Sequence, residues 1–326
     1  MNSSHPFKPA GLIAALALLA LSPALAQTDA YPSRPITVVV GYPPGGSTDL
    51  TGRTVAAELS KKLGVPVVVE NVGGAGGAIG AQKVANAAPD GYTLLVGANN
   101  EIAINRLVSA SVKYEIKDFT PVGLIASQPM VLVASTKSGV KTIDQFMSQV
   151  KASPGKFSYG SSGVGTALHL AGEMVKEQGG LFMTHIPYRG VAPLANDLLG
   201  GNIDFGVFVL SSGLPHIKSG RVVALGTTEK KRSTVTPDIP ALAETARLKN
   251  TDISSWFALM GPAKLPEPVV ARLKKALEES LQSPELRKKL EDSGSAIAPL
   301  NVDMPKFLRD ETAKYQKIVD FAKIRE

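Results

Sequence analysis

There is no cysteine among the 326 residues, and that one absence removes several chemistries together. A disulfide scaffold, a thiolate zinc site, an iron–sulfur cluster and a cysteine nucleophile are all excluded. Aromatic residues are scarce, at 6%, and no dense basic run accompanies them. Nucleic acid is therefore not expected as a partner, despite a formal charge of +7. Charged residues make up 19% and hydrophobic ones 44%, which fits neither long-range disorder nor a fibrous chain.

Nucleotide and catalytic signatures are missing as well. Five residues separate Gly46 from Gly52, and Arg53 stands where a P-loop carries lysine. Gly74, Gly76 and Gly80 have one residue too many in their second gap for a dinucleotide fingerprint. No G-x-S-x-G elbow and no H-E-x-x-H occurs. His169, His185 and His216 are scattered without ligand spacing, so neither a metal nor a cofactor is expected. His185 and His216 read as packed residues. His169 either orients a neighbouring loop or faces a cleft.

What is present begins with an export signal. His5 and Lys8 precede the apolar run Ala10–Leu21, and small residues lead to a cut after Ala26. The run is shorter than the ~20 residues of a membrane span. The competing reading is a buried N-terminal helix. Removing residues 1–26 leaves 300 residues and a charge of +6, since Lys8 is the only formal charge lost. The expected product is a soluble exported protein of the periplasm.

The remainder alternates strands and helices. Residues 35–40, 65–70 and 92–96 read as buried parallel strands separated by helices at 49–63 and 78–88. The pattern restarts with strands at 122–126 and 130–134. A helix follows at 142–152, with Thr142 as a plausible cap. Strands at 157–160, 184–187, 203–209 and 222–227 then alternate with helices at 167–178, 191–199 and 214–219. Helices at 268–282, 284–292 and 302–323 close the chain. The order implies an α/β protein of two domains with parallel-rich sheets.

Three glycine-rich loops each follow a strand and precede a helix: Gly45-Gly46-Ser47-Thr48, Gly73 to Gly77, and Ser161 to Thr166. Ligands of open α/β sheets sit outside the carboxyl ends of strands. A helix N-terminus there presents free N–H groups to an anion. The second loop has almost no side chains, so its donors must be backbone. The alternative is three ordinary tight turns. Asp49, at a helix start, reads as a capping carboxylate rather than a contact for an anion, which it would repel.

A family resemblance rests on a longer series of motifs. Tyr31-Pro32-Ser33-Arg34-Pro35-Ile36, Pro43-Pro44-Gly45-Gly46-Ser47-Thr48-Asp49 and Gly74-Ala75-Gly76-Gly77 open it. It continues through Ala88-Pro89-Asp90-Gly91-Tyr92, Tyr159-Gly160-Ser161-Ser162-Gly163, Pro187-Tyr188-Arg189-Gly190 and Ser255-Trp256-Phe257. In this order, over essentially the whole mature chain, they resemble the Bug-type solute-binding receptors of tripartite tricarboxylate transporters.

The resemblance implies a type II periplasmic-binding-protein fold, two lobes joined by a double-crossing hinge near Ser127 and Asp252. The first lobe would comprise 27–127 plus 253–326 and the second 128–252. It implies no enzyme but a monomer that captures a small organic carboxylate for membrane permease subunits. A same-fold receptor feeding a signalling partner, or an exported α/β enzyme, are the alternatives. The expected contacts are Gly45, Gly46, Ser47, Thr48, Ala75, Gly76, Gly77, Ser161, Ser162, Gly163, Thr166 and His169. The stretch Gly97-Ala98-Asn99-Asn100 resembles a further cleft-lining segment, adding Asn99. One departure stands out. Where the family often has an aspartate, four positions beyond Asp204, this chain has Phe208. Phe208 is either an apolar, stacking wall for a mono- or dicarboxylate with an apolar or aromatic body, or a core strand residue.

Overall fold

The computed structural model describes residues 1–3, 31–233 and 235–324. The expected leader run and the cut after Ala26 lie in residues 4–30, outside the described residues. No described helix is long and apolar enough to cross a membrane.

The first unit is β1 (Ile36–Val40), α1 (Ser47–Leu63), β2 (Val67–Asn71), α2 (Ala78–Ala85) and β3 (Thr93–Ala98). β1 is parallel to both β2 and β3. Its side chains are apolar on both faces because helices cover both. α1 buries Val55, Ala56, Leu59 and Leu63 at helical spacing and ends at Gly64, whose φ of 76° suits glycine. After β3 come a π-helical turn, Asn100–Ile104, and the short α3 (Asn105–Val108).

Next comes β4 (Phe119–Ser135), one 17-residue strand where the sequence pattern predicts two. Ser127-Gln128-Pro129 reads as a break, yet the backbone stays extended through it. The second unit is α4 (Ile143–Ala152), β5 (Ser158–Ser161), α5 (Ala167–Gly179), β6 (Thr184–Pro187), α6 (Val191–Gly200), β7 (Phe205–Val209), α7 (Leu210–Lys218) and β8 (Val222–Thr227). Thr142 caps α4 as expected, its hydroxyl accepting from Gln145 N–H at 3.2 Å. β5 is parallel to β6 and β7, whereas β7 and β8 run antiparallel to β4.

β9 (Ser254–Pro262) then returns to the first unit and inserts between β3 and β4, antiparallel to both. It has no counterpart among the strands read from sequence, although Trp256 to Met260 is an unbroken apolar run. The sheets are therefore mixed, with parallel pairs in each unit and antiparallel pairs along β4 and β9. α8 (Glu267–Leu281) and α9 (Pro284–Asp292) pack on α1. β10 (Ala296–Ile297) pairs with β4, and α10 (Met304–Ala322) packs against α5 and the π-helical turn.

β4 joins the two sheets. It pairs with β9 as far as Pro129 and with β7 and β8 from Met130 or Val131 onward. Pro129 has no N–H to give a ladder, so it falls naturally where the pairing changes partner. Thr228 stitches this point to the return strand. Its Oγ accepts from Met130 N–H at 3.1 Å and donates to Ile253 O at 2.5 Å. Strand alternation sorts the second sheet's core. Met130, Leu132 and Ala134 enter the largest cluster, while Val131 and Val133 face α6 and α7.

Candidate ligand-binding site

The first loop is held from beneath. Asp49 Oδ2 accepts from Gly45 N–H at 2.9 Å and Arg53 Nε at 3.0 Å, and its Oδ1 accepts from Asn71 Nδ2 at 2.8 Å. Burial raises the pKa of this carboxyl, but the hydrogen bonds from Arg53, Gly45 and Asn71 outweigh it and hold the pKa below its ordinary value. Asp49 thus spends its charge inside the protein, in the capping role read from sequence. Gly46 is the N-cap, without a side chain to satisfy the first turn. The N–H groups of Ser47 and Thr48, at the start of α1, point out of the helix with no intrahelical acceptor.

The second loop lies against the first. A Cβ on Gly73 would stand 3.1 Å from Pro43, and one on Gly41 would stand 2.9 Å from Gly77. Ala75, Gly76 and Gly77 take φ of 48°, 59° and 91° in succession. Gly77 N–H is closed on Gly74 O at 3.0 Å, which leaves the N–H groups of Ala75 and Gly76 as this loop's backbone donors. Asn105 Nδ2 donates to Gly76 O at 2.9 Å, and Tyr42 Oη lies 3.0 Å from the same carbonyl.

In the third loop most side-chain hydroxyls are consumed internally. Thr166 is the N-cap of α5, accepting from His169 N–H at 3.3 Å and donating to Gly163 O at 2.9 Å. Ser161 is fully buried, with Oγ 2.7 Å from His185 Nε2 and 3.0 Å from Gly163 O. His169 Nδ1 accepts from Gly165 N–H at 3.0 Å, so this histidine orients the loop. Its ring stacks on His185 with centroids 3.7 Å apart and 8° between planes. Burial lowers His169 to about 4, and burial together with the neighbouring His169 lowers His185 to about 3. Both rings are therefore neutral at physiological pH.

The segment after β3 ties the loops together. Asn100 Nδ2 donates to Tyr42 Oη at 3.0 Å, and its Oδ1 accepts from Ala167 N–H, the first of α5, at 2.7 Å. Glu101, 1% exposed, accepts from Ala98 N–H at 2.8 Å and touches Tyr42 Oη at 2.9 Å. A Cβ on Gly165 would meet Val108 at 2.6 Å. Gly45, Gly46, Ser47 and Thr48 thus stand beside Ala75, Gly76 and Gly77. The 100–108 segment carries the contact across to Ser161, Ser162, Gly163, Thr166 and His169.

Two residues are placed elsewhere. Asn99 turns away from the loops, its Nδ2 donating to Ser254 O at 3.1 Å and Tyr315 Oη at 2.9 Å, with Ser255 Oγ on its Oδ1. Phe208 is 1% exposed and packs with Leu194, Leu198 and Leu214 beneath α6 and α7. Its strand parity puts the ring on that face of β7, in the core rather than as a cleft wall. Tyr42, Glu101 and Asn105, which hold the second loop, escaped the motif reading. The available signal was position alone, just beyond the carboxyl ends of β1 and β3.

Comparison with known proteins decides the family. The family model described as tripartite tricarboxylate transporter family receptor matches residues 51–324. The chain belongs to this family. Protein BugT of Bordetella pertussis is 34% identical over 322 residues, covering 98% of both chains. The structure of the periplasmic binding protein BugD is 32% identical with a TM-score of 0.83, covering 90% of this chain and 99% of that one. The R. palustris protein Rpa4515, solved with adipate, is 31% identical with a TM-score of 0.85 over 90% of this chain and 99% of its own. As a Bug-type receptor of this family, the chain has the α/β fold of periplasmic binding proteins.

Proposed function

We propose that this receptor is exported to the periplasm with its leader removed after Ala26. There it closes two lobes, 27–127 with 253–326 and 128–252, on a small organic carboxylate and passes it to permease subunits of a tripartite transporter. The observation that carries the reading is the second glycine loop. Its tight turn closes Gly77 N–H back on Gly74 O and leaves the N–H groups of Ala75 and Gly76 as its backbone donors, and the first turn of α1 adds its own beside them. Arg53, beside the first loop, is already paired with Asp49. Backbone amides recognise a carboxylate without fixing the rest of the ligand, which suits a family whose members differ in cargo. The Ser161–His185 pair does not revive a hydrolase, since Ser161 is sealed inside the fold.

Closure follows from differential binding: the ligand touches both lobes only when they meet. Titration calorimetry of ligand-stripped protein with mono- and dicarboxylates, adipate among them, is the direct test. Heat from at least one acid, weakened in Gly76→Ala, is expected. At Gly76, a Cβ is opposed both by φ and by Asn105 at 3.2 Å. Silence across the whole panel would sink the reading.

A further inference from the structure

Glu101 is a buried carboxyl that the ligand loops do not account for. Its Oε2 lies 2.9 Å from Tyr42 Oη, and that oxygen has two further neighbours, Gly76 O and Asn100 Nδ2, each at 3.0 Å. Counting donors places the protons. Ala167 N–H can only donate, so Asn100 must turn Oδ1 toward it and give Nδ2 to Tyr42. The Gly76 carbonyl can only accept. Tyr42 has one proton for two oxygens. With Glu101 ionised, Gly76 O and the carboxylate compete for that proton, and one close oxygen pair is left without a hydrogen. With Glu101 protonated, it donates to Tyr42, Tyr42 donates to Gly76 O, and every contact is satisfied.

We propose that Glu101, Tyr42 and Asn100 form a proton-carrying latch that fastens the second glycine loop to the N-terminus of α5, so that closure on a carboxylate takes up one proton. The proposal rests on the receptor reading above for its ligand, but the latch itself is a property of the protein alone. Burial is the main cause that lifts Glu101 to about 7, and no neighbouring charge contributes. The groups around it leave the titration to Glu101. Tyr42 and Tyr114 are both pushed upward, chiefly by burial, and stay neutral. The buried residues of α2 are Ala78, Gly80, Ala81 and Val84, none of them titratable, and Asn105 from α3 is engaged with Gly76 while Arg106 is exposed. From α10, Glu311 and Tyr315 are held by Trp256 and Asn99. From α5, His169 is neutral, as described. Parting the lobes would break Asn100–Ala167 and admit water, which lowers the affinity of Glu101 for its proton. The closed state therefore binds the proton more tightly, and closure weakens as pH rises through that value. An incoming carboxylate near Gly77 reinforces the neutral form.

The test uses the natural absence of cysteine. Spin labels at Lys62→Cys and Lys151→Cys, both exposed, report the distance between lobes in ligand-free protein at about pH 6 and about pH 8.5. The wild-type background should shift from the shorter to the longer distance as pH rises. Glu101→Gln, which donates to Tyr42 at every pH, should keep the shorter one. In parallel, adipate affinity should fall by up to about tenfold per pH unit above neutrality in the wild type and stay flat in Glu101→Gln. A pH-independent distance in the wild type, or a pH response that survives in Glu101→Gln, overturns the latch. If Glu101→Gln fails to fold, Tyr42→Phe serves instead, and it too must lose the response. Carboxylate binding without proton linkage would defeat the latch and leave the receptor reading intact. A pH-driven distance change with no acid bound would do the reverse.

Discussion

The second and third glycine loops are each held by a buried polar network, and the two networks respond to acid in opposite directions. At the second loop, Glu101 is raised to about 7 by burial. At the third, His169 and His185 are lowered to about 4 and about 3, again chiefly by burial. Burial disfavours the charged form in every case, but the charged form is the deprotonated one for glutamate and the protonated one for histidine. Both networks are neutral together only in a limited span of pH. Both networks steady a glycine loop, yet what steadies each loop is chemically distinct.

The largest expected effect separates the core from either network. Phe208→Asp should lose at least ~3 kcal/mol of stability, because it buries a carboxylate among leucines. Phe208→Leu should lose about 1 kcal/mol and bind the same acids, as urea unfolding and calorimetry would show. A changed ligand preference in Phe208→Leu would return that ring to the cleft.

The next effect tests the opposition itself. Glu101 has a folded pKa raised above its unfolded value of 4.5, so its contribution is fully present below that value and is lost as pH rises to about 7. The histidines have folded values below 6.5, so their contribution is present above 6.5 and is lost as pH falls toward about 4 and about 3. The Glu101 limb should be on the order of 3 kcal/mol deep, and the histidine limb, carried by two groups, deeper. Unfolding free energy measured across pH should lose its upper limb in Glu101→Gln and have a shallower lower limb in His185→Gln. If both variants altered the same limb, the comparison would be broken.

Thr228→Val comes third. It removes the hydroxyl that joins Met130 to Ile253 and should cost about 1–2 kcal/mol, without moving either pH limb. Smallest is Asp49→Asn. Arg53 is about half exposed, so the lost ion pair should cost below ~1 kcal/mol and less still at high salt. A larger loss would mean that the first loop depends on that clamp more than its solvent exposure suggests.

Local chemistry made much of the fold legible. The βαβαβ start, the cap at Thr142 and the strands Thr184–Pro187 and Val222–Thr227 follow from runs and punctuation that act within a few residues. Central β9 did not emerge, because a short apolar run such as Trp256 to Met260 has no periodicity that separates strand from buried helix. β4 read as two strands because Pro129 breaks a ladder locally, whereas here it sits where one partner gives way to another.

The sequence by itself determined the family, through an ordered series of motifs, and set out the glycine loops on which the proposed site is built. Tertiary structure decided which side chains steady those loops. Asn99 and Asn100 are adjacent and chemically identical, yet one faces β9 and α10 while the other reaches Tyr42 and α5. Glu101 looks like any surface glutamate until folding seals it beside Gly77. The physical reason is that glycine's freedom is a property of one residue. A buried proton's position depends on donors and acceptors that only the folded chain brings within about 3 Å.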